Sequence, residues 1–275
     1  MNVDPIEGER DAPNVPPLRI ALGEYDTGWQ EPTVSLARAA DVVAGAARLH
    51  ARLVVLPEMC TTGFTMDPDR WAEPIDGPSG DAIAALARTH RVWILAGLAV
   101  REEAPPRAVN AAVLFDPSGA VAAVYRKQRL FAHGGEHEHY VAGDTPTTVT
   151  IEGIRIATFV CYDLRFPELF RAVAPDIDAA VVIANWPERR RSHWDVLTRA
   201  RAIENQCYLV AVNRTGAGGD AQYDGGSVGF DPWGEPLGIG MPRVVDVDPA
   251  NVHRVRTRYP FLRDLESARE APFRV

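Results

Sequence analysis

The sequence predicts an α/β protein, a four-layer α-β-β-α sandwich made of two similar halves. Short apolar runs alternate with helix-spaced segments along most of the 275 residues, the pattern of sheets covered by helices. Several runs, Leu53–Pro57 and Ala179–Ala184 among them, are continuously apolar, as strands buried on both faces are. The order β-α-β-α-β-β-β occurs twice, and both copies carry Phe-Asp-Pro-x-Gly, at Phe115–Gly119 and at Phe230–Gly234. An internal duplication would stack two sheets face to face with their helices outside. The alternative built from the same elements is one doubly wound sheet.

In the first half, Leu18–Glu24 is a short apolar strand running into Glu24-Tyr25-Asp26. Over Pro32–His50, Leu36, Ala39, Ala40, Val43, Ala46 and Ala47 fall on one helical face. Leu53–Pro57 is a buried strand. Asp81–His90 is a helix with Ser79 available as a cap. Val92–Val100 is a strand, and Val109–Phe115 with Ala120–Arg126 reads as a hairpin across Asp116-Pro117-Ser118-Gly119. Phe131–Thr145 is irregular.

The pattern then restarts. Ile154–Val160 is a strand, Pro167–Ala174 a short helix and Ala179–Ala184 a buried strand. A helix over Ser192–Gln206, a strand over Cys207–Asn213 and a turn at Asp231-Pro232-Trp233-Gly234 complete the second half. No linker composition separates the halves, so residues 18–255 are expected to form one domain. Residues 1–17 form a flexible leader and residues 256–275 a tail that can exchange across a dimer.

Composition narrows the function classes. With 46% hydrophobic and 24% charged residues the chain is of ordinary globular type. A net charge of −8 disfavours nucleic acid as a partner. Cys60, Cys161 and Cys207 cannot all pair and show no C-x-x-C spacing, which argues against a zinc cage or disulfide framework and for a reducing compartment. No apolar run reaches the roughly 20 residues of a membrane span, and the leader lacks a signal peptide's basic and apolar regions. The expected location is the cytoplasm.

Functional groups in buried α/β sheets gather at the carboxyl ends of strands. Three such ends carry polar residues: Leu53-Val-Val-Leu-Pro57 ends in Glu58, Ala120–Arg126 in Lys127, and Ile156-Ala-Thr-Phe-Val160 in Cys161. Taken singly, a buried cysteine is a small apolar residue, and a strand-end Glu or Lys is a solvated one. Brought together they suffice for acyl transfer. A thiol with a pKa near 8.5 needs a base to take its proton, and a partly buried carboxylate can do so. An ammonium beside it, with the backbone N–H of Tyr162, can hold the oxyanion.

Leu56-Pro57-Glu58, Lys127-x-x-Leu130-Phe131 and Cys161-Tyr162-Asp163-Leu164-Arg165-Phe166-Pro167-Glu168 resemble the signatures of the nitrilase, or carbon–nitrogen hydrolase, superfamily. That resemblance spans roughly Leu18 to Val247 and implies a metal-free, cofactor-free, thiol-dependent enzyme on an α-β-β-α sandwich. It makes Glu58 the base, Lys127 the oxyanion stabiliser and Cys161 the nucleophile. Family members carry a second glutamate seven residues before a glycine, which here selects Glu136 ahead of Gly143, with Glu138 as the fallback. Pro57–Phe64, Glu136–Tyr140, Asn185-Trp186-Pro187, His193-Trp194 and Ala200–Gln206 resemble the ω-amidase branch in particular. That branch cleaves the distal amide of 2-oxo-dicarboxylic acid monoamides. The same family includes nitrilases, N-carbamoyl amino acid hydrolases and deaminated glutathione amidases, and a non-catalytic binding protein on this fold would have lost one of the three residues. Where relatives carry His before Leu-Phe in the lysine motif, this chain has Arg129.

Other features have plainer readings. His137-Glu138-His139 lacks a third metal ligand at a recognisable spacing and reads as a hydrogen-bonded loop. Gly216-Ala-Gly-Gly219 lacks the Gly-Lys-Ser/Thr of a phosphate loop and reads as a flexible connection. In Glu188-Arg189-Arg190-Arg191 an arginine can fix a substrate carboxylate in a bidentate fork, and position selects Arg190 over the plain alternative of a solvated helix start. Trp186 can wall a flat pocket or simply pack in the core. Arg201 and Glu204 are three apart on a helix, as an ion pair would be, and Cys60 and Cys207 read as structural. A small amide substrate and a homodimer are the expected partners.

Overall fold

The computed structural model describes residues 13–103, 106–238 and 243–264. The first half contributes β1 (Leu18–Leu22), α1 (Pro32–Arg48), β2 (Leu53–Val55), α2 (Pro68–Trp71), α3 (Pro78–His90), β3 (Trp93–Glu103), β4 (Pro106–Phe115) and β5 (Val121–Arg126). After α4 (Glu136–His139) come β6 (Thr148–Ile151), β7 (Ile154–Val160), α5 (Pro167–Val173), β8 (Ala179–Ala184), α6 (Arg191–Asn205) and β9 (Tyr208–Asn213). The chain ends with β10 (Thr215–Gly218), β11 (Ala221–Asp224), β12 (Val228–Phe230), β13 (Pro236–Leu237), β14 (Val244–Val247) and α7 (Pro249–Arg258).

Two six-stranded sheets form, in the orders β14-β1-β2-β3-β4-β5 and β13-β12-β9-β8-β7-β6. This rules out a single doubly wound sheet. Read from opposite ends, the two orders correspond strand for strand. β1-β2-β3 and β7-β8-β9 are parallel, and each trio is flanked on both sides by antiparallel neighbours. The repeated turns match as well. The Asp116 and Asp231 side chains each accept backbone N–H bonds two and four residues on, and Gly119 and Gly234 stand at φ +82° and +83°.

Period-two alternation divides each strand between two layers. Leu18, Ile20 and Leu22 of β1 face Ile154, Ile156 and Val160 of β7 and Ala179, Val181 and Ile183 of β8 in the core between the sheets. On the outer faces, Val54, Ile94 and Val113 meet Ala39, Val43 and Ala46 of α1 and Ile83 and Ala87 of α3. Phe159, Ala180 and Val182 meet Phe170 of α5 and Trp194 and Ala202 of α6. Four layers result, helix–sheet–sheet–helix.

Several expectations need correction. Ser79 does not cap α3, which begins at Pro78 behind Gly77; its N–H instead donates to Glu73 Oε2 at 2.7 Å. The glycine-rich stretch 216–219 is not a free connection but half of the β10–β11 hairpin, with Thr215 opposite Asp224. Glycines carry no side-chain alternation, so that strand left no pattern to read. The irregular stretch 131–145 contains a 3₁₀ turn, Ala132–Gly134, and α4. At the ends, Val15 already packs on the inter-sheet core, and the boundary at residue 255 falls inside α7. Residues 1–12 of the expected leader and 265–275 of the expected exchanging tail lie outside the described residues.

Candidate active site

The three strand ends converge. Pro57 has no N–H to donate, though its carbonyl still accepts the Gly97 N–H at 3.1 Å, and the chain turns at Met59, φ +41°, to carry Glu58 over the sheet edge. Gly97 of β3 makes room for that turn, because a Cβ there would sit 2.5 Å from the Glu58 Cα. Lys127 follows β5, and its N–H bonds the Asn110 carbonyl at 2.9 Å. Cys161 follows β7 at φ +47°, a conformation costly for a residue with a Cβ. Asp163 holds this bend by accepting from the Val160 N–H at 2.9 Å, the Tyr125 hydroxyl at 2.8 Å and the Arg129 N–H at 2.8 Å.

Glu58, Lys127 and Glu136 are fully buried together. Lys127 Nζ lies 2.8 Å from Glu58 Oε1 and 3.0 and 2.9 Å from Glu136 Oε1 and Oε2. The Asn110 amide donates to Glu58 Oε1 at 2.7 Å and to Glu136 Oε1 at 2.8 Å. Glu58 Oε2 accepts from the Asn185 N–H at 2.8 Å, and Glu136 Oε2 from the Phe131 N–H at 2.6 Å. The Cys161 thiol donates to the Asn185 carbonyl at 3.8 Å and lies within the electrostatic reach of Glu58 and Lys127. Glu138, the fallback, is exposed.

Electrostatics assigns the resting protons. Burial pushes the Glu58 carboxyl up, but Lys127, Asn110 and the Asn185 N–H outweigh it and hold Glu58 below the usual carboxylate range. Burial lowers Lys127, and Glu136, Glu58 and Cys161 more than reverse this, keeping it an ammonium. Burial, then the Glu58 charge, push the Cys161 thiol well up, against the opposing pull of Lys127. Two carboxylates already outnumber the one ammonium, so a thiolate would add a second net negative charge. The proton rests on sulfur.

Above Cys161 opens a cavity of about 350 Å³, walled by Trp29, Phe64, Phe131, Trp186 and Tyr223. Arg165 and Arg190 also line it, and neither pairs with a carboxylate among the described residues. The Arg190 guanidinium lies over the Phe131 ring at 5.1 Å, and Trp186 Nε1 donates to the Arg190 carbonyl at 2.8 Å. Trp186 thus serves both of its readings, lining the cavity and packing on Trp194. Tyr162, the residue after Cys161, lines the cavity too, and in the first turn its N–H has no intrahelical acceptor.

The remaining candidates fall outside the cluster. His137 and His139 are exposed. Cys60 and Cys207 are buried, and burial pushes each thiol to about 12. Arg201 pairs with Glu204 at 2.7 Å, as its spacing predicted, and also donates to the Leu164 carbonyl at 2.7 Å. Arg129 meets the motif's need through its main chain, while its side chain lies over Phe166 and beside Glu168. Because the bond to Asp163 is a backbone one, replacing His by Arg leaves it intact. Sequence reasoning missed Asn110, Asp163, Asn185 and Tyr223 as site residues. Asn110 left a signal of its own, a polar residue within the apolar run Val109–Phe115, while Asp163 and Asn185 stood inside the quoted motifs without a role being assigned to them.

Known proteins resemble this chain along most of its length. Residues 19–244 match the carbon–nitrogen hydrolase family. The 2-oxoglutaramate amidase of Bacillus subtilis (strain 168) is 34% identical over 225 residues, 80% of this chain and 85% of that protein. The omega-amidase YafV of Escherichia coli (strain K12) is 33% identical over 261 residues, 93% of this chain and 99% of that one. Among solved structures, the CN-hydrolase superfamily protein XC1258 of Xanthomonas campestris, with an arsenic adduct in its active site, superposes with a TM-score of 0.83. It is 33% identical and covers 94% of this chain and 98% of its own. A mutant amidase from Nesterenkonia sp. AN1, carrying the acetamide moiety of fluoroacetamide on its active-site cysteine, has a TM-score of 0.78. It is 27% identical, covering 95% of this chain and 99% of its own. This chain belongs to the carbon–nitrogen hydrolase family and is a hydrolase of carbon–nitrogen bonds.

Proposed function

We propose that this hydrolase is an ω-amidase, releasing ammonia from 2-oxoglutaramate or 2-oxosuccinamate with Cys161 as nucleophile. One observation carries the reading: a thiol against a buried Glu–Lys–Glu cluster, at the floor of a small cavity whose wall bears an unpaired arginine. The relatives named 2-oxoglutaramate amidase and omega-amidase support the choice of substrate.

In this reading the amide carbon sits over Cys161 and the distal carboxylate on Arg190, where a planar guanidinium offers a matching fork. Trp186 and Phe131 hold the short apolar stem between them. As sulfur attacks, Glu58 takes the thiol proton, and the carbonyl oxygen becomes an oxyanion held by Lys127 and the Tyr162 N–H. Each such donor contributes on the order of 10²–10³ in turnover. Glu58 then gives its proton to the leaving nitrogen and ammonia departs, leaving a thioester. Water enters, Glu58 takes its proton, the hydroxyl adds to the thioester carbon, and the thiol leaves with that proton restored. Glu136 keeps Lys127 charged and in place. The catalytic set is Glu58, Lys127, Cys161 and Glu136, with no cofactor or metal.

A cytoplasmic homodimer belongs to the same proposal. Val196, Ile203, Trp233 and Phe261 are exposed apolar side chains, and Trp233 and Phe261 both pack on Tyr259. Light scattering at twice the 30.1 kDa chain mass is expected.

Ammonia release from 2-oxoglutaramate and 2-oxosuccinamate is the direct test. Wild type is expected to turn over at least one and Cys161→Ala neither, and equal rates in the two proteins reject the assignment. Run beside a nitrile, an N-carbamoyl amino acid and deaminated glutathione, the same assay separates the ω-amidase from its nearest alternatives.

A further inference from the structure

We infer that Asn110 is a positioning residue for this chemistry: its amide clamps Glu58 and Glu136 on the Lys127 ammonium and leaves Glu58 Oε2 as the oxygen that exchanges protons. Asn110 lies on β4 on the same face as Ala112 and Leu114, which pack in the core between the sheets. A fully buried polar side chain in that row is costly unless its hydrogen bonds are made. Both bonds from its Nδ2 go to carboxylates, 2.7 Å to Glu58 and 2.8 Å to Glu136. Its Oδ1 is buried without a partner among the described residues. The amide cannot be reversed, since Oδ1 would then face two anionic oxygens. An acceptor left empty while both donors are spent on anions marks a side chain kept for what it donates.

The consequence lies in the division of labour between the Glu58 oxygens. Oε1 accepts from Lys127 and Asn110 together, so its lone pairs are committed. Oε2 accepts the Asn185 N–H at 2.8 Å, while the Asn185 side-chain amide reaches it only at 3.4 Å and gives its short bond, 2.6 Å, to the Glu58 carbonyl, so Oε2 is the less committed oxygen and the one better able to take a proton. The Asn110 carbonyl meanwhile accepts the Lys127 N–H. One residue thus orients the acid through its side chain and the amine through its backbone. Without the clamp, Glu58 loses one of the hydrogen bonds that hold it low, and its protonation moves to higher pH.

This inference rests on Glu58 acting as the base, and its test separates the two. Profiles of kcat and kcat/KM against pH are measured for wild type, Asn110→Ala and Asn110→Ser on 2-oxoglutaramate and propionamide. The kcat/KM profile reports the free enzyme, so its acid limb belongs to the site rather than to the amide. In Asn110→Ala that limb is expected to move about one pH unit toward neutrality. Its kcat should fall ~10²-fold, with KM changing less than about threefold. Asn110→Ser, which keeps one donor, should recover part of the shift. A profile that superimposes on wild type after scaling, or a loss confined to KM, overturns the inference. Should neither amide be hydrolysed, the substrate reading fails. Carboxyl NMR of ¹³C-glutamate-labelled wild type and Asn110→Ser still decides this one: the buried pair must take its first proton at higher pH in the variant, and unchanged titration overturns the clamp.

Discussion

Tyr125, on the outermost strand of the first sheet, donates its hydroxyl to Asp163 Oδ2 at 2.8 Å, and Asp163 follows a strand of the second. With the Arg129 N–H on its other oxygen, Asp163 ties the bend at Cys161 to the loop after Lys127. The nucleophile and the oxyanion donor of the proposed mechanism are held in one frame by this carboxylate, although they come from different sheets.

Asp163→Asn replaces one accepting oxygen with a donor that must face another donor. A loss of about 2–3 kcal/mol is expected for a broken buried charged hydrogen bond. Burial pushes the Asp163 carboxyl up to about 6 from an ordinary 3.8, so between those values the folded protein binds more protons than the unfolded one. The associated stability is present below the lower value and is lost as pH rises through the upper one. Between pH 7 and pH 5 wild type should therefore gain about 1 kcal/mol over Asp163→Asn. Urea titrations of both proteins at the two pH values check this; a constant difference refutes it.

Glu58→Gln separates two effects on Cys161. The substitution removes the base that takes the thiol proton but also a charge that raises the thiol, so alkylation by iodoacetamide at pH 7 is expected to slow by less than about tenfold. Ammonia release from the same variant should fall at least ~10²-fold, because proton transfer to the leaving nitrogen is lost. Mass spectrometry should find the label on Cys161, with Cys60 and Cys207 unmodified until the protein unfolds. Labelling that slows in step with turnover would contradict this assignment of the charge.

Arg190→Met keeps the apolar contact with Phe131 and removes the cation. For carboxylate-bearing amides kcat/KM should fall 10- to 100-fold, about 1.4–2.8 kcal/mol, chiefly through KM. An uncharged amide such as propionamide should be affected less than about threefold. Equal losses on both substrates would place the carboxylate elsewhere, with Arg165 the next candidate.

Gly97→Ala probes the packing under Glu58. The added Cβ would lie 2.5 Å from the Glu58 Cα and 2.6 Å from the Pro57 carbonyl oxygen, so the turn must shift. A stability loss of about 1–3 kcal/mol is expected from overpacking, together with a ~10²-fold fall in kcat from a displaced base. Full activity with a lowered melting temperature would show that the turn yields without moving the carboxylate.

Strand and helix periodicities, the repeated Phe-Asp-Pro-x-Gly turn and the polar residues at three strand ends were legible without coordinates, because each is a local property of the chain. They led to the layered sandwich and to Glu58, Lys127 and Cys161 as one constellation. Only the tertiary structure decided that Glu136 and not Glu138 reaches Lys127, that Asn110 and Asn185 engage Glu58, and that Asp163 spans the sheets. Each of these is a hydrogen bond between chain-distant groups, formed where desolvation makes an unmade bond expensive. Neither that cost nor the partner that relieves it leaves a periodic trace in the sequence. The resting proton belongs to the same class: sequence supplies the ionisable groups, but their burial and mutual distance, known only after folding, decide which of them carries charge.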